Sequence, residues 1–306
     1  MMTQSPMTSP TVLPGSADRI LEELVLQRRK EVESLQRRQA EQLKDLEARG
    51  QSQLRALKEQ MGEANIQMFE KIEHAAVKEA ERASHQIKEI KARLAATRLP
   101  TEAPRENPIL DYGRVLPRTA WSLTPYYATL HGSDGNVYWQ GYNPGNFTLF
   151  DTASGAGSGI FGTGAASFTV YLDWWFAFQP NDSRFFNYTV YVPYHGFYIV
   201  YADDGFFSSK EAAIRMDLCT QGYQYNWKAQ SCTNVLAIDS QNINVNDRFD
   251  GWRTIYYSDL LGGTDTAYLL VSASFYVYAR GGGSFAELNF ADGSANYIGV
   301  PVVYVS

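Results

Sequence analysis

Residues 21–57 read LEELVLQRRKEVESLQRRQAEQLKDLEARGQSQLRAL, and this stretch decides how the first third of the chain folds. Its apolar residues recur every eleven positions, so Val32, Leu43 and Leu54 are equivalent in phase. An eleven-residue repeat corresponds to about 3.67 residues per turn, which is typical of a nearly straight or weakly right-handed coiled coil. The phase continues from residue 17 to residue 98. It predicts a helix roughly 120 Å long at about 1.5 Å per residue.

A lone helix of that length has no place to bury its apolar stripe, so the pattern predicts partner helices. The stripe comprises Leu21, Leu24, Val32, Leu35, Leu43, Leu46, Leu54, Leu57, Met61, Met68, Ile72, Ala76, Ala83, Ile87, Ile90 and Leu94. We therefore predict a parallel coiled-coil stalk over residues 17–98. The chain would then associate with itself through this stalk and through the domain that follows, with a homotrimer as the expected state.

The stripe has interruptions that leave two alternatives open. Five of its positions are not apolar, namely Arg28, Gln39, Gly50, Asn65 and Glu79. These positions are either sequence drift or buried polar layers that fix the register. A bend at Gly50 or Gly62 would produce a helical hairpin instead of a stalk. Because the phase passes through both glycines without a proline or a polar turn cluster, we expect a continuous helix.

Composition changes sharply after residue 98. Only one aromatic residue, Phe69, precedes residue 99. Over residues 17–98, 17 basic residues interleave with 15 acidic ones, whereas the remainder has 10 basic and 18 acidic residues. Basic residues that alternate with acidic ones do not form the basic patch that nucleic acids require, so we expect no nucleic-acid partner. No apolar run reaches the length of a membrane-spanning helix, so we expect no membrane span.

Four segments follow from these patterns. Residues 1–16 are rich in proline, serine and threonine and lack the apolar run of a secretory signal, which predicts a disordered arm. Residues 17–98 form the stalk, and residues 99–118, with Pro100, Pro104 and Pro108, form a stiff neck. Residues 119–306 alternate short β-branched and aromatic runs with turn residues. This alternation predicts a β-sandwich head, jelly-roll-like, with a brief helix over residues 208–217.

One predicted strand, over residues 168–178, has apolar residues on both faces. Trp174 and Trp175 point in opposite directions if the strand is regular. A sandwich offers each strand one interior face, so the second face needs another cover. We expect a neighbouring subunit to supply it.

The segment between Cys219 and Cys232 is the predicted ligand-binding loop. The two cysteines could form a disulfide, which would stabilise a loop of this size by about 3 kcal/mol. The loop carries Tyr223, Tyr225, Asn226 and Trp227. Aromatic rings with polar handles beside amide side chains suit a sugar, since the rings stack on C–H faces while the amides bond hydroxyls. The alternative is that the aromatic residues plug the end of the sandwich core.

Signals for catalysis are weak. His131 and His195 each lie in a turn-like stretch, and Asp203 and Asp204 could supply one carboxylate of a glycosidase pair. No nucleophile elbow, phosphate loop or metal-ligand spacing is present, so we expect neither an enzyme nor a cofactor or metal.

The whole arrangement resembles trimeric fibre proteins and jelly rolls of the tumour-necrosis-factor type, a likeness that rests on Gly196-Phe197-Tyr198 and on architecture alone. Architecture does not give function. Our hypothesis is a fibre-like or adhesin-like protein whose head binds a ligand such as a glycan or another cell-surface ligand, made in the cytoplasm and displayed on a surface or a virion. The alternatives are a structural protein without a ligand, and a carbohydrate-active enzyme on an oligomerisation coil.

Overall fold

The computed structural model describes residues 17–96, 121–132, 137–143, 147–159, 163–180, 182–203, 210–263, 265–293 and 295–306, without the side chains of residues 17, 18, 63, 64, 121 and 137–140. The predicted arm and the predicted neck lie outside this part of the chain. Its two helices are α1 (Ala17–Gln60) and α2 (Glu63–Ala96). Neither is long and apolar enough to cross a membrane.

The strands form a β-sandwich of two sheets. In chain order they are β1 (Trp121–Leu123), β2 (Tyr127–His131), β3 (Val137–Asn143), β4 (Thr148–Ala156), β5 (Ala165–Phe178), β6 (Arg184–Ala202), β7 (Glu211–Gln224), β8 (Asn226–Trp227), β9 (Ser231–Ser240), β10 (Ile243–Leu261), β11 (Ala267–Arg280), β12 (Phe285–Asn289), β13 (Tyr297–Gly299) and β14 (Val302–Val305).

The two sheets are larger than those of a jelly roll. Sheet A has eight strands in the order β1-β14-β6-β12-β4-β13, with β10 also paired to β6 and β3 to β4. Sheet B has six strands in the order β2-β5-β11-β7-β8, with β9 also paired to β7. A jelly roll has about eight strands in total, so that part of the fold prediction needs correction, although the sandwich itself is present.

The two helices pack against opposite outer faces of this sandwich. The predicted coiled-coil stalk is therefore wrong. The contact of α1 with the outer face of sheet B joins Leu21, Leu24, Trp175, Tyr268 and Leu270. The contact of α2 with the outer face of sheet A joins Ala83, Ile87, Leu94, Phe197, Ile199 and Tyr201. The chain's own sandwich thus buries the two ends of the apolar stripe, although Leu35, Leu57 and Met68 in its middle remain exposed. The homo-oligomer predicted from the stripe stays an untested prediction.

Polar interruptions of the stripe contact the sandwich as well. The Arg28 Nε donates a hydrogen bond to Asp173 Oδ2 over 3.1 Å. The Gln39 Nε2 donates to Thr169 Oγ1 over 2.8 Å. These residues are therefore neither drift nor a register device between helices. They form hydrogen bonds between α1 and polar groups on the outer face of β5.

Of the two glycines considered for a bend, Gly62 lies between the helices and Gly50 lies inside α1, so the predicted continuous helix is wrong. The chain turns between the helices at Gly62, where an added Cβ would meet no atom within 4 Å. Gly50 remains inside α1, and its added Cβ would lie 3.1 Å from the Thr163 Cα. Gly50 therefore permits close approach of α1 to the sandwich. Near the bend, the Lys58 Nζ lies 2.8 Å from Glu73 Oε1 and joins the two helices.

Strand β5 is apolar on both faces, and both faces are covered. Trp174 packs in the sandwich core, Trp175 packs under α1, and both side chains are fully buried. The second cover is thus a helix of the same chain, where the sequence predicted a neighbouring subunit.

The predicted helix over residues 208–217 is wrong where the structure describes it, because residues 211–217 begin strand β7. Ala212, Ile214, Met216 and Leu218 alternate along β7 and all enter the core. This period of two is the strand pattern.

Candidate ligand-binding face

Strands β6 and β10 carry the candidate site on the outer face of sheet A. They pair over their full length of 19 residues without a register shift. Ile255, Tyr257 and Leu261 of β10 lie in the sandwich core. Because successive side chains of a strand alternate between faces, the even-numbered residues of β10 point outward.

One half of this face lies under α2. In addition to the apolar contacts, the Lys91 Nζ lies 2.8 Å from Glu287 Oε1 and 3.0 Å from Asp292 Oδ2. The Lys210 Nζ lies 2.9 Å from Glu79 Oε1 of α2. The covered half is therefore held by apolar burial and by charge pairs together.

Burial and ion pairing compete under α2. The Glu287 side chain is fully buried, which raises its pKa although Lys91 and Asn289 act to lower it. Burial acts to lower the pKa of Lys91, but the carboxylates of Glu287 and Asp292 outweigh it and the pKa is raised. The Lys91 ammonium is thus the counter-charge that allows a carboxylate beneath the helix.

The other half of the face is exposed and carries rings. Trp252, Tyr256 and Leu260 point outward from β10 and are 42%, 62% and 53% exposed, and Phe185 of β6 is 64% exposed. The Tyr191 ring of β6 has its centroid 5.9 Å from that of Trp252. These side chains form the surface that we name the aromatic platform.

Hydroxyl and amide groups alternate with the rings of the platform. Thr254 and Ser258 lie between the apolar residues of β10, opposite Tyr191 and Asn187 of β6. The Ser258 hydroxyl donates to Asn187 Oδ1 over 2.7 Å. A flat surface with rings and hydrogen-bonding groups side by side results.

A charged cluster separates the two halves. The Arg248 Nε donates to Asp250 Oδ2 over 2.9 Å, and its Nη1 donates to Asn296 Oδ1 over 2.7 Å. The His195 Nδ1 lies 3.4 Å from Asp250 Oδ1. Partial burial acts to raise the pKa of Asp250, but His195 and Arg248 outweigh it and the pKa is lowered.

A groove of about 350 Å³ runs beside α2 at the covered end. It is lined by Gln86, Glu89, Ile90, Arg93 and Asn244. The Arg93 Nη2 donates to Asn246 Oδ1 over 2.7 Å, so α2 and β10 contact each other through polar groups here. The groove therefore has one helical wall and one strand wall.

The structure separates the four residues of the predicted ligand loop. Tyr223 and Trp227 pack together with ring centroids 5.3 Å apart, and Trp227 lies 6.0 Å from the Trp175 ring. Tyr225 is 67% exposed at a φ of 64°, and Asn226 beside it is exposed. Tyr225 and Asn226 are therefore exposed at a tight turn between β7 and β8, whereas Tyr223 and Trp227 are half-buried.

A disulfide joins Cys219 to Cys232 across strands β7 and β9, where the two residues are directly opposite. The segment between them is thus two paired strands with a short turn. It is not a long open loop.

His131, one of the two histidines considered for catalysis, lies buried near α1. Its Nε2 is 3.5 Å from Asp173 Oδ2, and burial lowers the pKa of His131. The Ser272 hydroxyl donates to Asp173 Oδ1, while the Arg28 Nε donates to Oδ2. Because the serine proton goes to the carboxylate and not to the histidine, this group anchors α1 and does not activate a nucleophile. Asp203 is exposed, and Asp204 lies outside the described residues.

Sequence reasoning missed the aromatic platform. The available signal was the unbroken alternation of residues 252–260, in which every second residue is apolar or hydroxylated. Among the described residues, no group of three His, Cys, Asp or Glu side chains is placed to hold a metal ion.

No protein-family model and no curated protein matches this chain. Solved structures with weak similarity to this chain include the following three. The isomalto-dextranase of Arthrobacter globiformis T6 complexed with panose shows 11% identity and a TM-score of 0.21, over 61% of this chain and 23% of that one. A structure titled "CBM4 structure and function" shows 9% identity and a TM-score of 0.20, over 54% and 89%. The enzymatically active domain of tailspike protein 4 from bacteriophage CBA120 shows 11% identity and a TM-score of 0.15, over 61% and 19%. At these TM-scores the likenesses carry no argument about function.

Proposed function

We propose that this protein binds a glycan on the aromatic platform of sheet A. The observation that carries the proposal is the row formed by Trp252, Tyr256 and Leu260, exposed on one face of β10 and interleaved with hydroxyl groups. Tyrosine and tryptophan combine an apolar ring with a polar handle, so their faces suit the C–H faces of sugar rings.

Hydroxyl and amide groups beside the rings support a sugar over a purely apolar partner. Ser258 and Asn187 are already bonded to each other, which holds them in fixed positions on the surface. A hydroxyl both donates and accepts, and an amide does the same through separate atoms, so this pair can serve sugar hydroxyls of either polarity. A docked protein surface would leave such groups in need of matching partners.

Affinity electrophoresis in dextran, hydroxyethylcellulose, xylan and glycol chitin tests the proposal. The wild-type chain should be retarded by at least one polymer, and Trp252→Ala and Tyr256→Ala should remove that retardation without lowering the melting temperature. The matched control is Leu26→Ala, because Leu26 is an exposed apolar residue of α1. This variant should migrate like wild type. No retardation of the wild type in any polymer contradicts the proposal.

The turn that carries Tyr225 and Asn226 stays a second predicted contact surface. Tyr225→Ala separates the two surfaces, because it leaves the platform intact. Loss of retardation in Tyr225→Ala, with Trp252→Ala unaffected, would move the binding site to sheet B.

Binding without turnover is part of the proposal. In the charged cluster, the His195 imidazole faces the Asp250 carboxylate over 3.4 Å and not a hydroxyl or thiol nucleophile. Incubation of the retained polymer with the protein should release no new reducing ends. Release that Asp250→Asn abolishes would favour the carbohydrate-active enzyme instead.

A further inference from the structure

The outward row of β10 extends beyond the aromatic platform into the groove beside α2. Asn244 and Asn246 occupy the same face of the strand as Trp252 and Tyr256, since pairing with β6 has no register shift over this length. At about 3.3 Å per residue, the row from Asn244 to Leu260 is about 50 Å long. One pyranose ring would cover only a small part of it.

Chemistry changes along this row. The platform end carries rings, whereas the groove end carries amides from β10 and the polar side chains Gln86, Glu89 and Arg93 from α2. The Asn246 Nδ2 donates to Asn244 Oδ1 over 3.4 Å, and Arg93 donates to Asn246, so neighbouring groups orient these amides. A ligand could therefore stack on the rings at the platform end. At the groove end it could form hydrogen bonds with the α2 wall and the β10 wall.

Charges along the row balance. Arg248 lies against Asp250 at the junction, and the groove carries one acid, Glu89, and one base, Arg93. A ligand with many like charges would meet as much repulsion as attraction along this surface. The chemistry fits a neutral chain.

We propose that platform and groove form one continuous track that holds a neutral, linear oligosaccharide of several units. This inference rests on the proposed function, because it takes the platform as a glycan site and adds the groove to it. The chain would stack on Trp252 and Tyr256 and pass the His195 and Asp250 junction. It would then lie between Asn244 and α2.

Calorimetric titration with a length series tests the track. The probes are isomalto-, cello-, xylo- and chito-oligosaccharides, from disaccharide to decasaccharide, matched to whichever polymer the wild type binds. Affinity should rise steadily with chain length. Loss of one hydrogen bond in Asn244→Ala should weaken the longest probe by about fivefold and leave the disaccharide unchanged.

Two further variants provide independent checks of the track. Asn246→Ser should also weaken only the long probes, and it retains a polar group if Asn244→Ala is poorly folded. Trp252→Ala should weaken probes of every length. These three results together support the track.

Other outcomes overturn one proposal or both. If a polymer is bound through Trp252 but affinity is constant beyond the disaccharide and Asn244→Ala has no effect, the track is wrong and the platform stands. If Asn244→Ala weakens every length equally, the groove is the main site and the continuous track is again wrong. If the wild type binds none of the polymers, both proposals fail.

Discussion

The outer face of sheet A has two halves built from the same two strands, and they differ in what covers them. On one half, Phe197 and Ile199 of β6 are fully buried beneath α2. On the other, Trp252 and Tyr256 of β10 remain exposed. Phe197 and Ile199 have no polar atoms and gain from cover, whereas the Trp252 and Tyr256 rings carry polar handles that tolerate water.

The two halves also differ in how far α2 extends over them. Helix α2 ends at Ala96, with Leu94 and Arg93 still in contact with the sandwich. The contacts of α2 thus lie along one end of the β6–β10 pair, where Arg93 bonds Asn246. Because the described residues cover one half and leave the other exposed, the two halves should respond to mutation in opposite ways.

The largest expected effect concerns the charge pair under α2. Lys91→Met leaves the fully buried Glu287 carboxylate without its counter-charge, and breaking a buried pair in this way costs about 3 to 5 kcal/mol of unfolding free energy. Urea unfolding measures the loss. Lys88→Met, on the exposed side of the same helix, is the control and should change stability little.

The pH dependence of that variant follows from the raised pKa of Glu287. A buried acid whose folded pKa is raised stabilises the folded state at low pH and loses that contribution as pH rises through the folded pKa. Removing Lys91 raises this pKa further, so the deficit of Lys91→Met should shrink in acid. Equal losses in Lys91→Met and Lys88→Met would show that the pair does not hold α2.

The next effect compares apolar side chains from the two halves. Ile87→Ala removes a buried contact of α2 and should cost about 2 to 4 kcal/mol. Tyr256→Ala, on the open half, should change the unfolding free energy by no more than about 0.5 kcal/mol. Val77→Ala is the control for α2, because this side chain is exposed. A large loss in Tyr256→Ala would mean that the open half is covered in solution.

Part of this arrangement was predictable from the sequence. The eleven-residue stripe identified the buried face at the two ends of the helical segment, where Leu21, Val32 and Ile87 are buried, but not around its middle, where Leu57 and Met68 are exposed. What it could not identify was the cover. An apolar stripe indicates that one face of a helix is buried. A sheet can bury that face as well as another helix can.

Polar residues in the stripe held the missing information. Arg28 and Glu79 are expensive to place between identical helices, yet each has an opposite charge on the sandwich, Asp173 and Lys210. These partners are separated from the helices by more than a hundred residues in sequence. A pattern confined to the helix does not contain them.

The candidate site was less predictable than the fold. A period of two shows that a strand has two unlike faces, but it does not show which face is covered. For β10 that depends on its contact with α2, which is distant in sequence. The predicted residues Tyr223 and Trp227 illustrate the converse, because their alternation was visible while their partial burial against the α1 cluster was not.

The smallest expected effect concerns the junction between the halves. Asp250 has a lowered pKa because His195 and Arg248 outweigh its partial burial. A carboxylate of this kind stabilises the folded state at pH values above its unfolded pKa and loses that contribution as pH falls through the folded one. Asp250→Asn should therefore cost about 1 kcal/mol or less at neutral pH, where the carboxylate is charged and partly exposed.

Urea unfolding of wild type and Asp250→Asn across the acid range measures this difference. The deficit should be constant near neutrality and vanish as the pH falls below the range in which Asp250 ionises. Asp239→Asn, an exposed carboxylate of β9, serves as the control and should match wild type throughout. Because the junction joins the covered half to the open one, a deficit that persists in strong acid would assign Asp250 a packing role there. In that case packing contacts, and not charge interactions, would connect the two halves at this junction.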